Sequence, residues 1–230
     1  MADGAVQLSQ LAFTFFNAEI AARYLPDIAR GMGVTALLSL AVVAAGVALG
    51  LALAVLRSLP ARGTRWTVIA FADVLRSLPP LVIIIVLFFG FPFLQLPMSS
   101  FTATWLALTL VLAAYAEESI WAGMAALPPG QVEAARSTGL TWWQATRHVV
   151  LPQALRLAVP PLTNRVISVT KNTALGSVVA LSEILNMAQS ATSTAGNPTP
   201  LVLGAAAYLL IFIPVVMFAR WLETRWRWSR

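Results

Sequence analysis

Long apolar runs constrain the fold of this chain more than any other feature of its sequence. Val34 to Leu56 is a nearly unbroken apolar stretch, and as an α-helix it would reach about 34 Å, enough to cross a bilayer. Four further runs of the same kind occupy residues 68–90, 102–125, 159–188 and 201–221. Hydrophobic residues make up 59% of the chain, more than a soluble domain of this length can hide from water. The sequence therefore predicts an all-α membrane protein with five transmembrane helices.

Two local patterns are expected to shape the first two spans. Gly46 and Gly50 form a GxxxG pattern in the first span, which allows a neighbouring helix to come close. Small residues are common in such helices, so packing within the bundle is the preferred interpretation and dimerisation through the two glycines is the alternative. In the second span, the pair Pro79-Pro80 must kink the helix or break its hydrogen bonding.

The basic residues are distributed unevenly among the loops. They follow the first span, lie between the third and the fourth, and close the chain: Arg57, Arg62, Arg65, Arg136, Arg147, Arg156, Arg220, Arg225, Arg227 and Arg230. Loops 91–101 and 189–200 contain no Lys or Arg. By the positive-inside rule, the N-terminus lies outside, whereas loop 127–158 and tail 222–230 are cytoplasmic. Residues 1–33 mix apolar and polar side chains and are predicted to form an amphipathic segment on the periplasmic surface.

Several classes of function are not expected from the composition. The net charge of +6 is not gathered into a basic patch with interleaved aromatic residues, so no nucleic-acid partner is predicted. The chain has no cysteine and a single histidine, His148, so neither disulfides nor a metal site are expected. No nucleophile–base pair suggests catalysis. No signal-peptide pattern is present at the N-terminus, so the spans themselves are expected to direct insertion.

A polar segment between the third and fourth spans carries the most specific local signals. Residues 132–138 contain good helix formers, Gly139 is a natural residue for a helix end, and Thr141 can cap the next helix. Pro152 is expected to stop or kink that second helix. A helix–turn–helix between spans indicates coupling to something outside the bilayer, and an ordinary capped loop is the alternative.

Motifs along most of the chain resemble one family. Glu133-Ala134-Ala135, Gly139 and Leu151-Pro152 are similar to the EAA loop of bacterial ABC importer permeases. The run 151–156 together with 160–164 resembles the polar amino acid branch of that family. Three further matches follow the same order along the chain: Asp73 with 76–79, Ala114-Tyr115 with Glu118, and 171–175 followed by Glu183.

The resemblance implies a non-catalytic permease subunit of an ATP-driven importer for polar amino acids in the bacterial inner membrane. The implied partners are separate ATPase subunits that hold ATP and Mg, a second identical or homologous permease protomer, and a periplasmic solute-binding protein. The chain has no G-x-x-x-x-G-K-[ST] loop of its own, so the energy source is expected on another polypeptide. The residues expected to couple to the ATPase are Glu133, Ala134, Ala135, Gly139, Leu151 and Pro152.

Ionisable and polar groups within the spans are the candidates for the substrate path, because each is costly in a membrane unless it is paired, hydrated or used. They are Arg76, Tyr115, Glu118, Lys171, Asn172, Thr173 and Glu183. Arg76 and Glu118 lie at similar depth, so they are predicted to form a buried pair that Asp73 can join. A structural ion network and direct contact with substrate both remain open for this pair. Interhelical packing is likewise open for Asn172, Thr173 and Glu183.

One departure from the family pattern affects the substrate. Where the polar amino acid branch has an Arg after the Ala-Tyr pair, this chain has Trp121, which removes a cation from the cytoplasmic end of the third span. Two other functions remain as alternatives. A gated channel or secondary carrier would use Arg76, Glu118 and Lys171 as a relay and would need no ATPase, and a structural membrane scaffold would need neither.

Overall fold

The computed structural model describes residues 10–11 and 13–226, and this part of the chain is a bundle of helices. The α-helices are α1 (Ala18–Arg57), α2 (Arg62–Ser77), α3 (Pro80–Ile85), α4 (Ser100–Ala125), α5 (Pro129–Ser137), α6 (Trp142–Ala145), α7 (Leu151–Lys171), α8 (Ile184–Ala195) and α9 (Thr199–Trp226). Two π-helical turns, Val86–Gly90 and Thr146–Val150, and two 3₁₀ segments, Phe91–Leu94 and Asn172–Val179, lie between them.

Helix α1 begins well before the predicted first span. The Asn17 side chain accepts hydrogen bonds from the backbone N–H groups of Glu19 and Ile20 and caps the helix. From there α1 runs for 40 residues, about 60 Å, which is roughly twice the hydrocarbon thickness of a bilayer. Residues 18–33 of the predicted surface segment 1–33 are thus helical and continue directly into the first span. Residues 1–9 and 12 lie outside the described part.

Helix α4 lies at the centre of the bundle, and α1 packs closely along it. A Cβ at Gly50 would lie 2.5 Å from Ala116 Cβ and 2.8 Å from the carbonyl oxygen of Ala113. A Cβ at Gly46 would lie 2.9 Å from Leu112. Only glycine fits such a crossing, so the GxxxG pattern packs within the bundle, as the preferred interpretation predicted.

The second predicted span is broken at its two prolines. The chain bends by 100° between α2 and the helical segment that starts at Pro80. Pro79 is extended, and Pro80 is the first residue of α3, where its missing N–H removes no hydrogen bond. The expected break at Pro79-Pro80 is confirmed, although α2 begins at Arg62, six residues before the predicted start of the span.

The fourth predicted span, 159–188, is not one helix. Helix α7 ends at Lys171, a 3₁₀ segment follows to Val179, and α8 starts at Ile184 after a left-handed turn at Ala180. The apolar content of this run is divided among the second half of α7, the 3₁₀ segment and the start of α8, which hydropathy alone does not distinguish from one helix.

By length and composition, three helices can cross a membrane, and the bent pair of α2 with residues 80–94 makes a fourth. Helix α7 is about 31 Å long but contains Arg156, Arg165 and Lys171, which lower its hydropathy. The apolar core lies mainly between α1, α3 and α4, and includes Leu38, Val42, Ile84, Leu108 and Leu112. A smaller cluster joins α1 to α8 and α9 around Ile28 and Ile184.

Candidate functional site

Helix α5 contains the Glu-Ala-Ala sequence and ends as predicted. Thr138 is its C-cap residue, and Gly139 follows with φ +87°, in the region that favours glycine. The Thr138 hydroxyl donates to the carbonyl oxygen of Ala135 at 2.8 Å, and Gly139 N–H donates to that of Arg136 at 3.0 Å. These bonds satisfy the last carbonyl groups of α5 and fix the turn that follows it.

The next helix also starts where the sequence predicted but does not stop at Pro152. Thr141 caps α6 in a capping box: its hydroxyl accepts from Gln144 N–H at 3.3 Å, and its own N–H donates to Gln144 Oε1 at 2.8 Å. A π-helical turn precedes Pro152 and accommodates the backbone hydrogen bond that proline cannot donate. Helical structure then continues to Lys171. The polar segment is thus joined to α7 without an intervening loop.

Only part of the predicted coupling set faces outward. Glu133, Ala134, Gly139 and Pro152 are exposed, and Leu151 is half-buried against the cluster around Ala54, Ile120 and Ala158. Ala135, in contrast, is buried against its own chain. Of the two alanines predicted to couple to the ATPase, the helical period thus turns Ala134 outward and Ala135 toward its own chain.

Helix α5 packs against α6 and the π-helical turn that follows it. A small cavity of about 190 Å³ separates α5 from the end of α4, and it is lined by Trp121 and Met124 of α4, Val132 of α5, and Trp142 and Val150. Close by, a Cβ at Gly123 would lie 2.4 Å from the carbonyl oxygen of Ala154, so α4 and α7 are in direct backbone contact. Displacement of α5 would therefore act on the π-helical turn that leads into α7, and α7 in turn contacts α4.

Arg76 and Glu118 contact each other, as predicted from their depths. Arg76 Nη1 lies 3.1 Å from Glu118 Oε2, and Arg76 Nη2 lies 2.5 Å from Asp73 Oδ1. The two side chains are 28% and 42% exposed, so the prediction of a buried pair is wrong for the single chain. Their exposure leaves both groups accessible to solvent or to a solute.

The buried ion pair is a different one, which sequence reasoning missed. Arg57 Nη1 lies 3.0 Å from Oε1 of Glu117, whose side chain is fully buried, and 3.7 Å from Oε2 of Glu118. Arg57 was expected in the loop after the first span, but it is the last residue of α1. The signal was present in the glycine spacing, because Arg57 lies two turns after Gly50 and therefore on the face that packs against α4.

Two arginine side chains lie beside the Trp121 ring at this end of α4. The Arg57 guanidinium lies 4.7 Å from the centroid of the Trp121 ring, and that of Arg65 lies 5.7 Å away. The indole thus supplies a cation–π surface in place of a charged side chain. Trp121 removes a cation from α4 itself, as the sequence indicated, but α1 and α2 bring their own arginines to that position.

Tyr115 lies one turn before Glu118 on α4 and faces α7. It is half-buried, and the Arg165 guanidinium lies 4.5 Å from the centroid of its ring. Arg165 was not among the predicted site residues. It extends the row of arginines along this side of α4, so the predicted Tyr115 and Glu118 share a cationic environment.

Glu183 lies apart from this row, in a packed environment. Its carboxylate is fully buried, accepts hydrogen bonds from the N–H groups of Leu185 and Asn186, and accepts one from the Tyr208 hydroxyl at 2.5 Å. It caps α8, and within the described residues no Lys or Arg lies within 4 Å of it. Thr173 is also buried, and its hydroxyl donates to the carbonyl oxygen of Thr170.

Lys171 and Asn172 are more accessible. Lys171 is exposed and, with Tyr208, lines an otherwise apolar groove of about 530 Å³ along α9 that reaches Arg220. In the described part of the chain, Lys171 forms no ion pair. The structure therefore divides the predicted substrate-path residues into the Arg76–Glu118 contact, the Tyr115–Arg165 contact, the α8 cap and this groove.

Comparisons with known proteins agree with this arrangement. Residues 46–228 match the family described as "Binding-protein-dependent transport system inner membrane component". The chain is 35% identical over 192 residues to the probable glutamine ABC transporter permease protein GlnM of Bacillus subtilis, covering 83% of this chain and 89% of GlnM. It is 34% identical over 174 residues to the probable amino-acid ABC transporter permease protein YckA of the same organism, covering 76% and 77%.

Solved structures give the same result. A chain of an amino acid ABC transporter crystallised with histidines superposes with a TM-score of 0.80 at 30% sequence identity, covering 89% of this chain and 96% of that one. The MetNI methionine ABC transporter in an inward-facing conformation gives 0.70 at 18% identity, which shows a shared fold.

Proposed function

The chain belongs to the family of inner membrane components of binding-protein-dependent transport systems, and on this premise we propose that it is the permease subunit of an ATP-driven importer of polar amino acids. The motifs read from the sequence pointed to this family, and the comparisons confirm it. The amino acid substrate is supported by the names of the relatives, glutamine and histidine/lysine/arginine/ornithine transport permeases among them.

We further propose five spans, with the N-terminus outside and the C-terminus in the cytoplasm. Helix α7 would be the fourth span and α9 the fifth. The distribution of arginines supports the orientation. Cysteines introduced at Ser99 and Thr194 should react with an impermeant thiol reagent added from outside, and one at Thr64 should not. The chain has no native cysteine to interfere, and the opposite labelling pattern would overturn the orientation.

The coupling role rests on one observation: α5 presents an exposed face, and α6, which follows it after the turn at Gly139, continues through the π-helical turn directly into α7. A separate ATPase that holds ATP and Mg would bind this face, and its closure would move α5 against the ends of α4 and α7. A solute-binding protein would deliver the amino acid from outside, and a second permease protomer would complete the path. The Arg76–Glu118 contact and the Lys171 groove are the proposed substrate contacts.

A carrier relay through Arg76, Glu118 and Lys171 is less well supported. Arg76 and Glu118 pair with each other near the end of the bundle, whereas Lys171 lines the separate groove along α9. Such a relay needs a chain of contacts, and none of the ion pairs in the described chain joins these two places.

The test compares two glycines of the same segment in proteoliposomes that contain the whole transporter. Gly139 has φ +87°, so Gly139→Asp strains the turn and places a charge beside the proposed ATPase contact. We expect ATP-dependent amino acid uptake to be lost while the protein still inserts. Gly130→Asp is the control, because Gly130 is helical, has open space around it, and lies where an acidic side chain suits the helix dipole.

Two results would contradict the proposal. Normal uptake by the Gly139→Asp transporter would remove α5 from the coupling mechanism. Uptake that follows an ion gradient and does not depend on ATP would favour a secondary carrier.

A further inference from the structure

A second groove lies on the opposite side of the coupling segment, between α1 and the start of α7. Its volume is about 560 Å³. One wall is a stripe of small and aliphatic residues on α1 that begins at Ala48, includes Ala52 and Val55, and ends at Leu59 just beyond the helix. The other wall contains Trp143 and Arg147. None of the proposed coupling or substrate residues except Leu151 lines it.

The dimensions of this groove match part of one bilayer leaflet. From Ala48 to Leu59 the wall extends about 16 Å along α1, close to half of the roughly 30 Å hydrocarbon thickness. Because the groove ends where α1 ends, its polar mouth lies at the boundary of the membrane.

The positive charge at the mouth of the groove favours an anionic ligand. The Arg147 side chain is exposed, and within the described residues no carboxylate lies within 4 Å of it. No acidic residue lines the groove. A guanidinium matches phosphate oxygens with paired hydrogen bonds, and desolvated at a membrane surface it attracts an anionic headgroup. Trp143, which is 54% exposed, supplies the amphipathic ring typical of a membrane interface.

We propose that this groove binds an anionic phospholipid, with its phosphate at Arg147 and an acyl chain along the α1 wall. Arg147 lies in the π-helical turn that joins the α5–α6 segment to α7. A bound lipid therefore bridges α1 to the segment that moves α7. The inference rests on the proposed orientation, in which this end of the bundle lies at the cytoplasmic leaflet with its anionic lipids.

The experiment is native mass spectrometry of the purified transporter complex with added dioleoyl phosphatidylglycerol or dioleoyl phosphatidylethanolamine. We expect phosphatidylglycerol adducts to persist on the wild-type complex at collision energies that remove phosphatidylethanolamine. Arg147→Gln should weaken phosphatidylglycerol binding about tenfold, since it removes a charge-assisted contact. Ala52→Trp should weaken it as well, because the indole fills the acyl part of the groove without changing any charge.

Arg156→Gln is the matched control. Arg156 is an exposed arginine on the first part of α7 and lies outside the groove, so this variant should bind phosphatidylglycerol like the wild type. Equal binding by all variants would overturn the proposal. So would equal retention of both lipids, which would show a groove without charge selection. Loss of the ATPase or of the second permease from the Ala52→Trp complex, with lipid binding unchanged, would assign the groove to a protein partner instead.

Discussion

Glu117 and Glu118 are neighbours on α4, yet the two carboxylates lie in different environments. Glu117 points into the seam between α1 and α4, is fully buried, and pairs with Arg57 at 3.0 Å. Glu118 points toward α2, is 42% exposed, and pairs with Arg76 at 3.1 Å. The nitrogen–oxygen distances in the two pairs are nearly equal, so the pairs differ in their exposure to water and not in their geometry. The first pair loses its hydration on folding, whereas the second keeps much of it.

This difference separates a structural role from a functional one. A buried pair strongly penalises the loss of one partner, because the remaining charge has neither water nor a counter-ion. An exposed pair contributes about 0–1 kcal/mol, so its members can exchange partners at low cost. We therefore assign Arg57 and Glu117 to holding α1 on α4, and we retain Arg76 and Glu118 as candidates for contact with substrate.

The largest effect is expected from Glu117→Gln. This change leaves the Arg57 guanidinium buried beside a neutral amide, and Glu118 at 3.7 Å compensates only in part. We expect a loss of about 3 kcal/mol in the stability of the purified complex, near the lower end for broken buried pairs. The measurement is the thermal unfolding midpoint in detergent. A shift no larger than that of Glu118→Gln would end the distinction between the two pairs.

A double variant sharpens the same comparison. Replacing both charges, as in Arg57→Met with Glu117→Leu, removes the unpaired charge and fills the seam with apolar atoms. Since such replacements are often neutral or stabilising, most of the loss caused by Glu117→Gln should be recovered. Strictly additive losses in the cycle of single and double variants would show that Arg57 and Glu117 do not act as a pair.

Trp121→Leu should have an intermediate effect on the seam. The indole lies 4.7 Å from the Arg57 guanidinium and is half-buried, so its removal takes away a cation–π contact and some packing. We expect about 1 kcal/mol of destabilisation, with Trp121→Phe losing less because it keeps an aromatic face. Equal unfolding midpoints for the two variants would show that the ring does not hold the cation.

The smallest effect on stability is expected from Glu118→Gln and Arg76→Met. Each should lower the stability of the complex by about 0.5 kcal/mol, because both side chains remain partly solvated. Amino acid uptake in proteoliposomes is the second readout. A large loss of uptake with little change in the unfolding midpoint would place the pair on the substrate path, whereas unchanged uptake would leave it as a surface ion pair.

The features that the sequence predicted well are those with a local physical cause. The end of α5 at Gly139 and the cap of α6 at Thr141 follow from hydrogen bonds among a few neighbouring residues. The break at Pro79-Pro80 follows from the geometry of proline itself. The Arg76–Glu118 contact was predictable from depth, because each residue could be counted from the end of its own span.

The errors concern features that depend on helices being placed against each other. Hydropathy predicted one helix over 159–188, but it does not register that Glu183 caps a new helix with its own carboxylate. Ala135 looked like part of a docking surface, and only the packing of α5 against α6 and the π-helical turn shows that it faces inward. Arg57 was predicted to lie in a loop, whereas α1 extends as far as this residue.

The sequence by itself determined that this protein lies in a membrane, which family it belongs to, and where several helices begin and end. The length of the apolar runs, the order of the motifs and the capping residues are each encoded by residues close together in the chain. Tertiary structure alone decided which of two adjacent glutamates is buried. Residues 117 and 118 differ by about 100° around α4, and the direction of each becomes inside or outside only when α1 and α2 take their positions. The same rotation gives one carboxylate a structural partner and leaves the other open to solvent.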